Sequence, residues 1–173
     1  NLSADGGILL LREVDRSSGM IGQLAGCFTD FRDQNLIEHT VSDLLRQRVF
    51  GMAMGYEDLN DHDTLRCDPV MALGVGKSDP LGLNRGGANR GKPLAGKSTL
   101  NRLELTNAKT GEGVLPGGVH KIRADFAAIE TLLIRLAVSR LREDTDEIVL
   151  DFDATDSLLH GNQEGKFFHG YYD

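Results

Sequence analysis

Apolar residues recur along this chain in two rhythms, and most of the chain sorts into short elements by them. Gly6-Gly7 introduces the run Ile8-Leu9-Leu10-Leu11, which reads as a buried strand ending near Glu13 or Val14. Met20, Ile21, Leu24, Ala25 and Phe28 then recur at helical spacing, with Asp15 or Ser17-Ser18 available as the cap. Thr29 to Asn35 is polar and predicts a turn or a helix junction. Leu36, Ile37, Thr40, Val41, Leu44, Leu45, Arg48 and Val49 form a stripe at three-and-four spacing. It continues through Met52 to Met54 and predicts a second helix, bracketed at its end by Gly51 and Gly55. The polar cluster from Tyr56 to Asp63 predicts a turn and a short capped helix around Asp63 to Arg66. Asp68-Pro69 opens another short helix through Val70 to Leu73, with Pro where its missing donor costs nothing.

Residues 77–93 keep no apolar period and predict a loop. Ser98-Thr99 is placed to cap a helix carrying Leu100, Leu103 and Leu105. After a Gly-rich flexible segment at 106–118, the longest helix is expected at about 120–142. Its stripe is Ile122, Phe126, Ile129, Leu132, Leu133, Leu136, Ala137 and Leu141, and Arg135, Arg140 and Arg142 suit its carboxyl end.

The rhythm then changes to period two. In Glu147-Ile148-Val149-Leu150-Asp151-Phe152-Asp153-Ala154-Thr155-Asp156, a strand would put Val149, Asp151 and Asp153 on one face and Leu150 and Phe152 on the other. Two carboxylates on one face are costly to bury unless paired or bound to a cation. A metal site at a strand end and a solvated edge strand, where Asp blunts aggregation, both fit that spacing. Residues 157–165 read as a turn and Lys166 to Tyr172 as an aromatic strand, so a helix feeding a hairpin is expected here.

Composition narrows the class. With 40% hydrophobic and 26% charged residues in 173, the chain suits one ordinary globular domain, or one and part of another. It holds no apolar run of membrane-spanning length and no secretory signal pattern. Cys27 and Cys67 lie in no metal-like spacing and read as buried free thiols of a reducing cytosol, a disulfide being the weaker reading. A formal charge of −7 argues against a nucleic-acid partner until its distribution is read. Residues 144–173 hold eight acidic residues and one basic and so carry the whole imbalance. Within 77–109, seven basic residues face two acidic ones; a phosphate-holding loop beside an acidic metal-binding module fits, and so does a solvated loop.

Two motifs need testing against context. Gly91-Lys92-Pro93-Leu94-Ala95-Gly96-Lys97-Ser98 matches the nucleotide phosphate-binding pattern G-x-x-x-x-G-K-[ST] at each fixed position. That loop works when a buried strand delivers it to a helix start, and Asn84 to Arg90 cannot be a buried strand, so a nucleotide hydrolase is the minority reading. The acidic string at 57–63 lacks the glycine and distal glutamate of a calcium-binding EF-hand loop.

Longer strings carry a resemblance. Residues 148–156, then His160-Gly161-Asn162-Gln163-Glu164-Gly165 and Phe168-His169-Gly170-Tyr171-Tyr172, resemble the DDE transposases of bacterial insertion sequences. So do Gly55-Tyr56-Glu57-Asp58-Leu59-Asn60-Asp61, Leu65-Arg66-Cys67-Asp68-Pro69, residues 94–104 and the opening residues 5–13. The resemblance covers nearly the whole chain in order and accounts for the nucleotide-like string as part of a family string.

It implies an α+β chain. A largely helical region at 1–143, with the basic loop 77–109, would serve DNA recognition and assembly. Residues 144–173 would begin an RNase H-like catalytic domain. Asp153, with Asp151 as second choice, would be the first carboxylate of an Asp-Asp-Glu triad that holds two Mg²⁺ ions for phosphodiester displacement. The other two carboxylates would lie beyond Asp173, so the expectation is a truncated polypeptide, inactive alone. The implied partners are DNA at the element's terminal inverted repeats and further copies of the protein, without a membrane. The implied location is the bacterial cytoplasm, on the nucleoid when DNA is bound. Arg85, Arg90, Lys92, Lys97 and Arg102 are the expected DNA contacts, and they serve equally a DNA-binding or dimerising module without chemistry.

Overall fold

The structure, a computed structural model, describes residues 5–105 and 121–150. The chain divides into two compact units, residues 1–139 and 140–173. In the first, the helices are α1 (Ile8–Ser18), α2 (Met20–Ala25), α3 (Val41–Ala53), α4 (His62–Leu65), α5 (Pro69–Val75), α6 (Lys97–Glu104) and α7 (Phe126–Val138). Strands β1 (Phe28–Asp30) and β2 (Ile122–Ala124) pair antiparallel, Thr29 opposite Arg123. The class is α+β, with helix dominant.

Helix α3 is the axis of this unit. Thr40 and Asp43 close a reciprocal capping box at its start: the Asp43 amide donates to Thr40 Oγ1 and the Thr40 amide to the Asp43 carboxylate, both at 3.1 Å. Its buried residues face both sides. Val41, Leu44 and Leu45 join Ile21, Ala95, Leu100, Leu103 and Ile122 in one apolar cluster, while Phe50 joins Ile8, Leu65, Met71, Ala72, Val75 and Leu94 in the other. The helix begins at Val41 rather than Leu36, which is 79% exposed, because the capping box sets the start more firmly than the apolar period does.

Residues 8–11 are helical, correcting the strand expected there. A four-residue apolar run carries no period of its own, and length is what separates strand from helix. Only Ile8 is fully buried, Leu11 packs half-buried against the same cluster, and Leu10 is 73% exposed, so the run is one turn of α1 with one face inward. Asp15, also buried, accepts from the Ile21 amide at 2.9 Å and from Arg46 Nε at 2.8 Å, tying the α1–α2 junction to α3. Ser18 Oγ accepts from the Met20 amide at 3.3 Å, but the N-cap of α2 is Gly19, without a side-chain cap bond, and Ser17 donates instead to the Val14 carbonyl within α1. Phe28 leaves that helix for β1, and the segment expected to be a turn begins as a strand because β2 pairs with it.

The helix expected at 120–142 is shorter. Ile122 lies in β2, Asp125 accepts from the Ala128 amide at 3.0 Å as the cap, and α7 ends at Val138, no longer than α3. Asp68 caps α5 as its Asp-Pro start predicts, accepting from the Val70 and Met71 amides. The cysteines are free, but Cys67 is exposed and Cys27 half-buried rather than buried.

In the second unit, residues 140–150 are exposed and have no regular secondary structure, so 148–150 are not a strand. A strand needs a paired neighbour, and none of the described residues provides one. Arg142 and Asp144 form a two-pronged ion pair at 2.7 and 2.8 Å in that turn. The rest of the expected hairpin, 151–173, and the Gly-rich segment 106–120 lie outside the described residues.

Gly74 sets the approach of α1 to α5, since a Cβ there would overlap the Ile8 side chain. Gly74→Ala is expected to cost about 1–3 kcal/mol through overpacking, against the small gain alanine brings to an unencumbered helix. Urea unfolding of the single variant checks it, and because Ile8 Cγ2 is the overlapping atom, Gly74→Ala combined with Ile8→Ala should cost less than the two single changes added together.

Candidate nucleic-acid interface

What places α6 is a buried amide. Gln47 of α3, 1% exposed, donates from Nε2 to the Ala95 carbonyl at 2.8 Å and accepts at Oε1 from the Ala95 amide at 3.0 Å. The pair satisfies both backbone groups of Ala95 as a neighbouring strand would. The second Nε2 hydrogen points to His62 Nδ1 at 3.2 Å. That contact makes Nδ1 the acceptor and leaves the ring proton on Nε2, which is buried without a hydrogen-bond partner. Burial, reinforced by the charge of Arg48, holds the His62 pKa below its usual value, so the ring stays neutral. A Cβ on Gly51 would stand 2.9 Å from this ring, which is why α3 carries glycine where it meets His62.

The residues on either side of Ala95 finish the attachment. The Leu94 amide donates to the Arg66 carbonyl at 3.2 Å, and a Cβ on Gly96 would lie 2.8 Å from Arg66 Nη1. Ser98 and Thr99 do not cap α6: Gly96 is the N-cap and makes no side-chain cap bond. Asp63 of α4 does that work from outside, accepting from the Lys97 amide at 3.3 Å and pairing with Lys97 Nζ at 3.2 Å. A helix start already holding a carboxylate, with its lysine in an ion pair and no strand in front of it, is not a nucleotide cradle. The 3₁₀ turn Gly87–Asn89 stands where that strand would have to be.

Helix α6 therefore has two faces. Leu100 and Leu103 are buried in the first apolar cluster, and Glu104 pairs with Arg48, whose guanidinium also donates to the carbonyls of Tyr56 and Glu57. Lys97, Ser98, Asn101 and Arg102 are exposed. With Asp58, Leu59 and Asn60 they line an open cleft of about 580 Å³.

The five cations expected at a DNA contact do not stand alike. Arg85 is largely covered, pairs with Glu38 and donates to the Lys92 carbonyl, so it braces the loop. Lys97 is half-exposed but bound to Asp63 and, at 2.9 Å, to Asn60. Arg90 and Arg102 are exposed, and Lys92 is half-buried. The loop itself is knit together: the Gly91 amide donates to the Gly82 carbonyl at 3.0 Å, and the Asn84 amide to the Asp79 carboxylate at 2.7 Å. Gly82, at φ +63 and against the amides of Lys92 and Pro93, leaves no room for a side chain at that crossing. Asp151 and Asp153 lie outside the described residues. Among the described residues no three His, Cys, Asp or Glu side chains converge as a metal site. No helix among them is long and apolar enough to cross a membrane.

Sequence reasoning missed Gln47 and His62. A glutamine within an apolar helical stripe was the one available sign, since a buried amide demands partners.

A family model described as Transposase DDE domain group 1 matches residues 1–173, the full length of the chain. No curated protein and no solved structure matches it.

Gln47→Leu keeps the volume but strips Ala95 and His62 of their partners, and is expected to cost about 2–4 kcal/mol in urea unfolding. Hydrogen exchange should show the Ala95 amide losing protection before those of α3. His39 provides a pH test. Burial, then the nearby charges of Lys77 and Arg85, lowers its pKa to about 4. A histidine whose folded pKa is depressed destabilises the fold as pH drops below the unfolded value near 6.5. The loss should reach on the order of 3 kcal/mol by about pH 4. His39→Gln should remove that part of the acid sensitivity, and the His39 ring resonances should stay flat from about pH 7 to pH 5.

Proposed function

The chain belongs to the family of transposase DDE domains, and from that premise we propose that residues 1–139 hold DNA while Asp153 provides the first carboxylate of the catalytic centre. The family match over the full chain carries this reading. It places the protein among nucleic-acid-cleaving enzymes that generally use divalent metal ions. The reaction class is in-line displacement at phosphorus, with water or a 3′-hydroxyl as nucleophile and an ester oxygen leaving.

Within that reaction the residues divide by charge. Arg90, Lys92 and Arg102 contact DNA at the terminal inverted repeats, Arg90 and Lys92 through backbone phosphate, because they are the cations of the expected set with no ion pair among the described residues. Lys97 and Arg85 keep α6 and the loop in shape. Asp153, with Asp151 as the alternative, would hold Mg²⁺ at the start of an RNase H-like domain; bound there, the ions would activate the nucleophile and stabilise the leaving oxygen. The proposed setting is the bacterial cytoplasm, with several copies assembling on paired element ends. A second reading, a DNA-binding or dimerising module without chemistry, draws on the same exposed Arg90 and Arg102.

Polypeptide 1–173 is expected to bind duplex DNA with an affinity that falls steeply with salt. Neutralising Arg90 and Lys92 together should lower the log–log salt slope by about 2. Binding that ignores salt would count against the phosphate assignment. The proposed inactivity of polypeptide 1–173 is tested on element-end DNA in Mg²⁺, where no cutting is expected. Cutting that disappears in Asp153→Ala would overturn the expectation of inactivity while upholding Asp153.

A further inference from the structure

We propose that the exposed face of α6 reads base edges of duplex DNA through Asn101 and Arg102, with Ser98 beside them, while Arg90 and Lys92 contact backbone phosphate. The inference rests on the DNA-binding reading above and assigns a separate task to one part of it.

The charge of the cleft points this way. A phosphate seat needs a surplus of positive charge, and this one has little. Lys97 is neutralised by Asp63, and the Asp58 carboxylate puts a negative charge on the wall of the same cleft. Asp58 is held ionised as well: amide and side-chain hydrogen bonds from Asn60 keep its pKa below the usual value. What remains on the face is a set of hydrogen-bonding groups one turn apart, Ser98, Asn101 and Arg102, lining the cleft together with Asn60. Arginine and asparagine are the side chains that pair two-pronged with guanine and adenine in the major groove, and a helix is the element that groove admits.

Rigidity is the second support. Base reading requires side chains carried on an element that does not shift, and α6 is fastened at three points. Leu100 and Leu103 are buried beneath it, the Gln47–Ala95 amide pair precedes its first turn, and Arg48 holds Glu104 near its end. Neither Asn101 nor Arg102 takes part in that fastening, and among the described residues neither side chain has an ion pair or hydrogen bond to lose. Fixed support with uncommitted polar ends is what a reading helix needs and a merely solvated face does not.

The test selects duplexes that polypeptide 1–173 binds from a random-sequence pool and compares the best with its scrambled form at one salt concentration. Asn101→Ala is expected to lower the ratio of selected to scrambled affinity about tenfold, leaving scrambled binding within about twofold. Arg102→Ala should lower the ratio similarly, whereas Arg90→Ala should weaken both duplexes together. Both α6 changes are to exposed positions and to the best helix former, so circular dichroism should be unchanged. An unaltered ratio in Asn101→Ala and Arg102→Ala, or a wild-type polypeptide with no sequence preference, would overturn the assignment and leave DNA binding standing. Failure to bind any duplex would overturn both readings.

Discussion

The described part of the first unit depends on one buried glutamine. Gln47 lies on α3 between two apolar clusters, and its amide supplies both partners for the Ala95 backbone and one for His62. An unpaired amide in that position would cost more than the bonds return, so the network is all or nothing. Leu94 and Ala95, adjacent in sequence, belong to different clusters, and the Gln47 contact holds the chain where it passes between them. Helix α6, which starts two residues after Ala95, inherits its position from that contact.

A helix held in this way can offer polar side chains outward without loosening. Leu100 and Leu103 anchor one side, Arg48 and Asp63 hold the two ends, and Ser98, Asn101 and Arg102 are left to face a partner. The same geometry disposes of the nucleotide-like motif. Its lysine and its helix start are both committed to Asp63, so a pattern that matches residue by residue has the wrong surroundings.

The fold was legible where a residue's chemistry acts locally. Asp68-Pro69 announced α5 because capping and the proline constraint involve neighbours only, and the Asp58–Asp63 turn was readable for the same reason. It failed where a distant segment decides. Ile8 to Leu11 resembled a strand until α5 supplied a helix-sized surface for Ile8, and Ile122 resembled a helix residue until Phe28 to Asp30 gave β2 a partner. Ser98 and Thr99 looked like caps because the competing acceptor, Asp63, lies 34 residues away in sequence.

By itself the sequence determined the class, the run of helices, the basic loop and the family, because composition, caps and long matching strings are properties of neighbours along the chain. Tertiary structure decided which cations are open to a partner and which are structural. Arg85 and Lys97 look like Arg90 and Arg102 in sequence, and only the positions of Glu38 and Asp63 separate them. Charge is written residue by residue, but whether it is available depends on what folding brings within hydrogen-bond reach.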